Sequence, residues 1–214
     1  STIFSAVGCD EVGSFILGEL QSENVNTEFV LKLENWQSSF SSVIVDIDGD
    51  RQIVNYRKSL PEDAVNSISN FPIYDAYLSD SRWSEAAIAT LSLAKKYKKP
   101  GILDAEAPVS EHAVDIASHV AFSKQGLRHF TNKDDLMASL KIIENDFNSW
   151  ACVTDGPNGV YFLEEGILHN LPTPRINAED TLGAGDVWHG AFAVCLAEGK
   201  SEREAIKFSN LAAA

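Results

Sequence analysis

Cysteine is scarce in this chain: Cys9, Cys152 and Cys195 are the only three in 214 residues. Their odd number, wide spacing and lack of a C-x-x-C pair exclude a dedicated zinc site and fit a reducing compartment. No uninterrupted apolar run approaches the length of a membrane span, and the chain does not open on a basic-then-apolar leader. Positive charge is also in short supply, with 17 Lys and Arg against 31 Asp and Glu and a net charge of −14. Nucleic acid and anionic membrane, both bound through basic patches, are therefore poor partners. An anionic ligand would have to be met by a local group of cations. These absences predict a soluble, cytoplasmic protein.

What is present is ordinary for a globular chain. Apolar residues make up 44%, which argues against disorder, and the length suffices for one sizeable core. The chain begins without Met on a strand-like run, Ser1-Thr2-Ile3-Phe4. It stops at Leu211-Ala212-Ala213-Ala214, inside a helical pattern with no Gly, Asn or Pro to close it. Both ends are accordingly expected to be truncated.

Thr2–Val7 reads as a strand, and Val12, Phe15, Ile16 and Leu20 mark an amphipathic helix that Asp10 could cap. Phe29–Leu33, Ser41–Ile47 and Gln52–Tyr56 read as three strands, the last two joined by a tight turn at Asp48-Gly49. The acidic run 46–50 fails as a calcium loop, since Arg51 and Arg57 stand where Gly and Glu are needed. From Asp75 onward short strands alternate with helices: Ala76–Leu78, Ser84–Lys95, Gly101–Leu103, Glu111–Ala117, His119–Phe122, Lys133–Asp146, Trp150–Thr154 and Val160–Leu163. Such alternation predicts a parallel sheet covered on both faces, with ligands at the carboxyl ends of its strands. That rule points to Asp80–Trp83, Asp104–Glu106, Ser123-Lys124 and Asp155–Gly159.

The segment 180–191 reads Asp-Thr-Leu-Gly-Ala-Gly-Asp-Val-Trp-His-Gly-Ala. Gly183, Ala184 and Gly185 let an anion approach the backbone closely, and the residues after them continue as a helix with an apolar face. A small-residue turn opening a helix supplies converging N–H groups and the positive end of the helix dipole, which together bind phosphate. Asp186 stands at that helix start. A carboxylate beside an anion cradle needs a further role, and accepting the proton of an attacking hydroxyl is the obvious one.

The spaced pattern Asp180-Thr181-x-Gly183-Ala184-Gly185-Asp186-x-x-x-Gly190-Ala191 resembles the C-terminal signature of the ribokinase-like (pfkB) carbohydrate kinases. Val7-Gly8-x-Asp10-x-x-Gly13, followed by a helix and Asn24-Val25-Asn26-Thr27, is similar to that family as well. The resemblance implies an α/β fold, a three-layer sandwich with a mainly parallel sheet and a small β-sheet lid. It implies one domain over 1–214, with lid strands at about 29–57. It also implies an ATP-dependent kinase acting on a sugar hydroxyl, with Gly183, Ala184 and Gly185 as the anion hole and Asp186 as catalytic base. Mg²⁺ would accompany ATP without an assigned protein ligand, and a monovalent cation is implied near Asp180. Lid sheets of this family often pair between subunits, so a homodimer is implied too.

Further residues follow from the same resemblance. Thr154-Asp155-Gly156-x-x-Gly159 looks like the nucleotide-side turn, making Thr154, Gly156 and Gly159 nucleotide contacts, although Asp-Gly-Pro-Asn-Gly is also an ordinary turn sequence. Ser123-Lys124-Gln125-Gly126 replaces the family's Asn-x-x-Glu motif. Lys124 could meet ATP phosphates there or simply be solvated. Asn210 falls where the family borders the adenine, or else on a polar helix face. Asn55 and Arg57 fall on the lid's return strand; Asn55 and Arg82 are candidates for the substrate's anionic end, all three reading otherwise as plain surface residues, and the order of Asn55 and Arg82 is similar to the ketohexokinase and sulfofructose-kinase branch. The scattered histidines, His189 among them, and the tryptophans read as structural. Ser201-x-x-Glu204 is a capping box. A nucleoside kinase, or a non-catalytic nucleotide- or sugar-binding protein on the same fold, is the alternative reading.

Overall fold

The computed structural model describes residues 1–45, 51–60, 65, 68, 71–176 and 181–214. They divide into two compact units, Ser1–Ile68 and Ser69–Ala214. The expected Asp48-Gly49 turn, the acidic run 46–50 and Asp180, with the cation implied beside it, lie outside the described residues.

In the first unit, β1 (Thr2–Gly8) pairs in parallel with β2 (Asn26–Leu33), and α1 (Glu11–Ser22) is the crossover that parallel pairing demands. Val7, Leu17 and Val30 are buried together between them, with Ile3 and Ile16 packed alongside. Asp10 is the N-cap of α1: one carboxylate oxygen accepts from Gly13 N–H at 2.7 Å and from Ser38 Oγ at 2.6 Å. The other accepts from Ser38 N–H at 2.8 Å. These bonds, led by the Ser38 hydroxyl, hold its carboxyl below the usual carboxylate range. Phe29–Leu33 thus belongs to β2. The separate small sheet is an antiparallel pair, β3 (Phe40–Val45) and β4 (Arg51–Tyr56), in register from Phe40 opposite Tyr56 to Val45 opposite Arg51.

The second unit is built on a six-stranded sheet. Its strands are β5 (Tyr77–Asp80), β6 (Gly101–Ala105), β7 (His119–Ser123), β8 (Trp150–Thr154), β9 (Val160–Glu164) and β10 (Ile167–Leu171), in the spatial order β10-β9-β8-β7-β6-β5. The pairs from β5 to β8 are parallel, whereas β9 is antiparallel to both of its neighbours. Glu165-Gly166 is the hairpin turn, both residues having positive φ (53° and 73°).

Side-chain alternation sorts the strands into two faces. Leu103, Ala105, Val120, Phe122, Val153 and Leu163 face a core completed by α2 (Ser84–Tyr97), α3 (Glu111–Ile116), α4 (Lys124–Thr131) and α5 (Leu136–Asp146). Ile102, Ala121, Cys152, Val160 and Phe162 face the opposite core, closed by Trp188, Phe192, Cys195 and Leu196 of α6 (Ala184–Ala197) and Ala205 and Ile206 of α7 (Glu202–Ala212). The expected three layers are present, with a mainly parallel sheet. Among the described residues no helix is long and apolar enough to cross a membrane.

One element was not expected. The stretch 124–131, to which the sequence reading assigns no element, is a helix, because Ser123 caps it by accepting from Gly126 N–H at 2.9 Å. Gly126 lets it start hard against β6, where a Cβ would lie 2.1 Å from the Ala105 carbonyl oxygen. The capping box of α7 forms as expected between Ser201 and Glu204.

Candidate active site at the start of α6

The parallel strands end on one edge at Asp80, Ala105, Ser123 and Thr154. The start of α6 carries the small-residue turn. Gly183 has φ 79°, a left-handed conformation that glycine adopts without strain, and it reverses the chain into the helix. The first intrahelical bond runs from Val187 N–H to the Gly183 carbonyl at 3.0 Å. The amides of Gly185 and Asp186 precede it and face out of the helix start, as first-turn amides do. A Cβ on Gly185 would meet nothing within 4 Å. Asp186 folds back over the turn, with Oδ2 3.9 Å from the Cβ position of Gly183. Its carboxylate is exposed, so a hydroxyl brought to the cradle can reach it. This is an open amide cradle with a proton acceptor beside it.

Asp104, at the end of β6, points to the α6 side of the sheet, where His189 Nε2 lies 3.5 Å from its Oδ1. Burial raises the Asp104 carboxyl above the usual carboxylate range; His189 opposes the shift, while Glu106, Asp80 and Asp186 add to it. The edge is therefore rich in negative charge.

Arg82 follows β5. Its backbone N–H donates to Asp80 Oδ1 at 2.7 Å, and its Nη1 donates to the Ala107 carbonyl at 3.1 Å, which leaves the rest of an exposed guanidinium at the edge. Lys124 Nζ lies 3.0 Å from Asp155 Oδ2, so it is neither simply solvated nor unpaired. Thr154 donates its hydroxyl to the Phe122 carbonyl at 3.3 Å. The turn 156–159 bends on two positive-φ glycines, Gly156 at 51° and Gly159 at 89°. Gly159 is required by packing as well, because a Cβ there would lie 2.2 Å from the Leu171 carbonyl oxygen. Asn55, in the first unit, sits on β4 opposite Ser41, whose hydroxyl it accepts from. Arg57 follows β4 and is exposed.

Asn210 departs from expectation. It is 3% exposed, accepts from Trp188 Nε1 at 2.8 Å, and donates to the carbonyls of Leu171 and Pro172 at 3.1 and 3.2 Å. Both ends of its amide are spent on the protein, so it braces α6, α7 and the end of β10 instead of offering itself to a base. Conversely, His189, which reads as structural from the sequence, meets Asp104 at the site. Strand-end position pointed to Asp104, and nothing local pointed to their meeting. Among the described residues, no group of three His, Cys, Asp or Glu side chains is arranged to hold a metal ion.

Comparison with known proteins bears on this geometry. A family model described as pfkB family carbohydrate kinase matches residues 1–214. The chain is similar to a ribokinase of Bacillus subtilis (24% identity, covering 97% of this chain and 71% of the relative). It is also similar to a fructokinase of Vibrio alginolyticus (28% identity, covering 92% and 70%). Among solved structures, a protein from Agrobacterium tumefaciens assigned as a ribokinase superposes with a TM-score of 0.87 at 31% identity, covering all of this chain and 72% of the other. Fold, loop-to-helix segment and a match from the first residue to the last agree, and the chain belongs to the pfkB family of carbohydrate kinases.

Proposed function

We propose that the protein transfers the γ-phosphoryl group of ATP to a sugar hydroxyl. The observation that carries this reading is Asp186 standing over an open amide cradle at the start of α6. The Gly185 and Asp186 amides and the helix dipole take up charge on the transferred phosphoryl group. Asp186 accepts the proton of the attacking hydroxyl, and proton transfer of this kind contributes roughly 10²–10⁴-fold to rate. Asp80, Asp104, Glu106 and Asp186 would repel a bare triphosphate, so ATP enters as its magnesium complex, whose cation offsets that charge. The exposed Lys124 and the 154–159 turn at the ends of β7 and β8 form the nucleotide side.

The acceptor we propose is a ketose or a sugar bearing a sulfonate or phosphate, with Arg82 on its anionic end. Support comes from the free part of the Arg82 fork, which suits three-oxygen anions, at an edge otherwise dominated by carboxylates. The β3–β4 sheet is proposed as the lid of a single ribokinase-like domain and as a contact between two subunits. Its support is the run of exposed apolar residues Val43, Ile44, Val45, Ile53 and Val54.

The test is ADP release by the full-length protein against a panel of pentoses, hexoses, ketoses, sulfosugars and nucleosides, with Asp186→Asn as control. Sugar-dependent release that falls by roughly 10²–10⁴-fold in the variant is expected. Release with nucleosides alone favours the nucleoside-kinase reading, and unchanged turnover in Asp186→Asn rules out the base.

A further inference from the structure

His189 lies one turn beyond Gly185 on α6 and is 6% exposed. Its Nδ1 is 2.8 Å from the Gly185 carbonyl oxygen. A carbonyl only accepts, so Nδ1 carries a proton. The other ring nitrogen, Nε2, is buried and has no hydrogen-bond partner among the described residues. The oxygen it faces is Asp104 Oδ1 at 3.5 Å, just beyond a good hydrogen bond. Trp188 stands edge-on to the imidazole, with ring centroids 5.2 Å apart.

A bare Nε2 lone pair and an ionised carboxylate are both acceptors, and in a buried place they repel. One proton removes the conflict whichever partner holds it. On Nε2 it makes an imidazolium–carboxylate pair; on Asp104 it makes an acid that donates to a neutral ring. The surroundings favour retaining it. Burial disfavours a lone carboxylate, and Asp80 on β5, Glu106 beyond β6 and Asp186 on α6 all add negative charge around Asp104. The Gly185 carbonyl also belongs to the same rigid peptide plane as the Asp186 N–H. The ring that grips that carbonyl therefore sets the direction of a cradle amide.

We propose that His189 is a positioning residue for phosphoryl transfer: through one proton shared with Asp104, it fastens the first peptide planes of α6 to the carboxyl end of β6. This rests on the kinase reading of the site. It assigns the pair no contact with substrate, only the aim of the Asp186 amide and, with it, the placement of the Asp186 carboxylate.

Asp104→Asn and Asp104→Ala in the intact enzyme test the idea. An Asn amide donates permanently to Nε2, whereas Ala leaves the ring facing nothing. Asp104→Ala should lower kcat by roughly 10²-fold, the scale of an ångström's misplacement of a reacting group, with the sugar KM little changed. Asp104→Asn should restore most of that kcat. Imidazole ¹⁵N NMR reads the pair without any turnover: a protonated Nδ1 is expected in the wild type, and a changed Nε2 signal in Asp104→Ala. Equal loss of kcat in two folded Asp104 variants, or an unprotonated Nδ1, overturns the proposal. Absence of any sugar-dependent ADP release by the unaltered protein instead overturns the kinase reading, and the NMR result then stands or falls alone.

Discussion

Trp188 donates its indole N–H to the side-chain oxygen of Asn210 at 2.8 Å, and that bond ties α6 to α7. The nitrogen of the same amide holds the carbonyls of Leu171 and Pro172 at the end of β10. Asn210→Leu would orphan the buried indole N–H and release the carbonyls of Leu171 and Pro172. Stability should fall by about 1–3 kcal/mol, the cost of a buried polar group left unpaired. Urea unfolding measures it. Unchanged stability with a selective rise in the ATP KM would return Asn210 to the nucleotide site.

Gly185 separates folding from function. Its Cβ position is open space, so Gly185→Ala needs no rearrangement of the protein. Alanine also suits a helix better than glycine by roughly 0.5–1 kcal/mol. The melting temperature of Gly185→Ala should hold or rise while ATP turnover drops, because the methyl occupies the space the phosphate must enter. Normal turnover would mean that no anion approaches this peptide.

Arg82→Ala distinguishes the two acceptor classes. If the exposed fork holds an anionic sugar, the sugar KM rises strongly and the ATP KM little, the pattern of lost uniform binding. A selective rise in the ATP KM would place Arg82 on the nucleotide phosphates. Preference for unmodified fructose over its sulfonated form would likewise defeat the sulfosugar reading.

His119 predicts an acid limit on stability. Its ring packs between Trp150 and Phe192, with centroids 5.7 and 6.0 Å away. Burial lowers its pKa, and Glu202 offsets this only in part. The unfolded chain, with an ordinary value of about 6.5, then binds the proton more readily than the folded one. The contribution is complete above that pH and is lost as pH falls through it toward the folded value. Thermal melts from neutral to mildly acid pH should show a falling Tm, and the fall should shrink in His119→Phe. Equal falls in both proteins would assign the acid limit to other groups.

The order of strands from β5 to β8, the cap of α1, the capping box of α7 and the small-residue turn that opens α6 with Asp186 in its first turn were legible in the sequence. Each is a matter of neighbours along the chain: apolar spacing, a capping residue three positions away, or small residues ahead of a helix. The helix α4 was not, because its start depends on Gly126 meeting the Ala105 carbonyl of another strand. Nor was the fate of Asn210, whose partners come from α6 and from the end of β10. His189 and Asp104 stand 85 positions apart (189 − 104) and meet at 3.5 Å only because α6 lies across the end of β6. Local chemistry along the chain determined which residues could bind an anion and accept a proton. Tertiary packing alone decided which polar groups are spent on the protein and which buried ones hold the cradle, since those pairings join groups that the linear sequence keeps far apart.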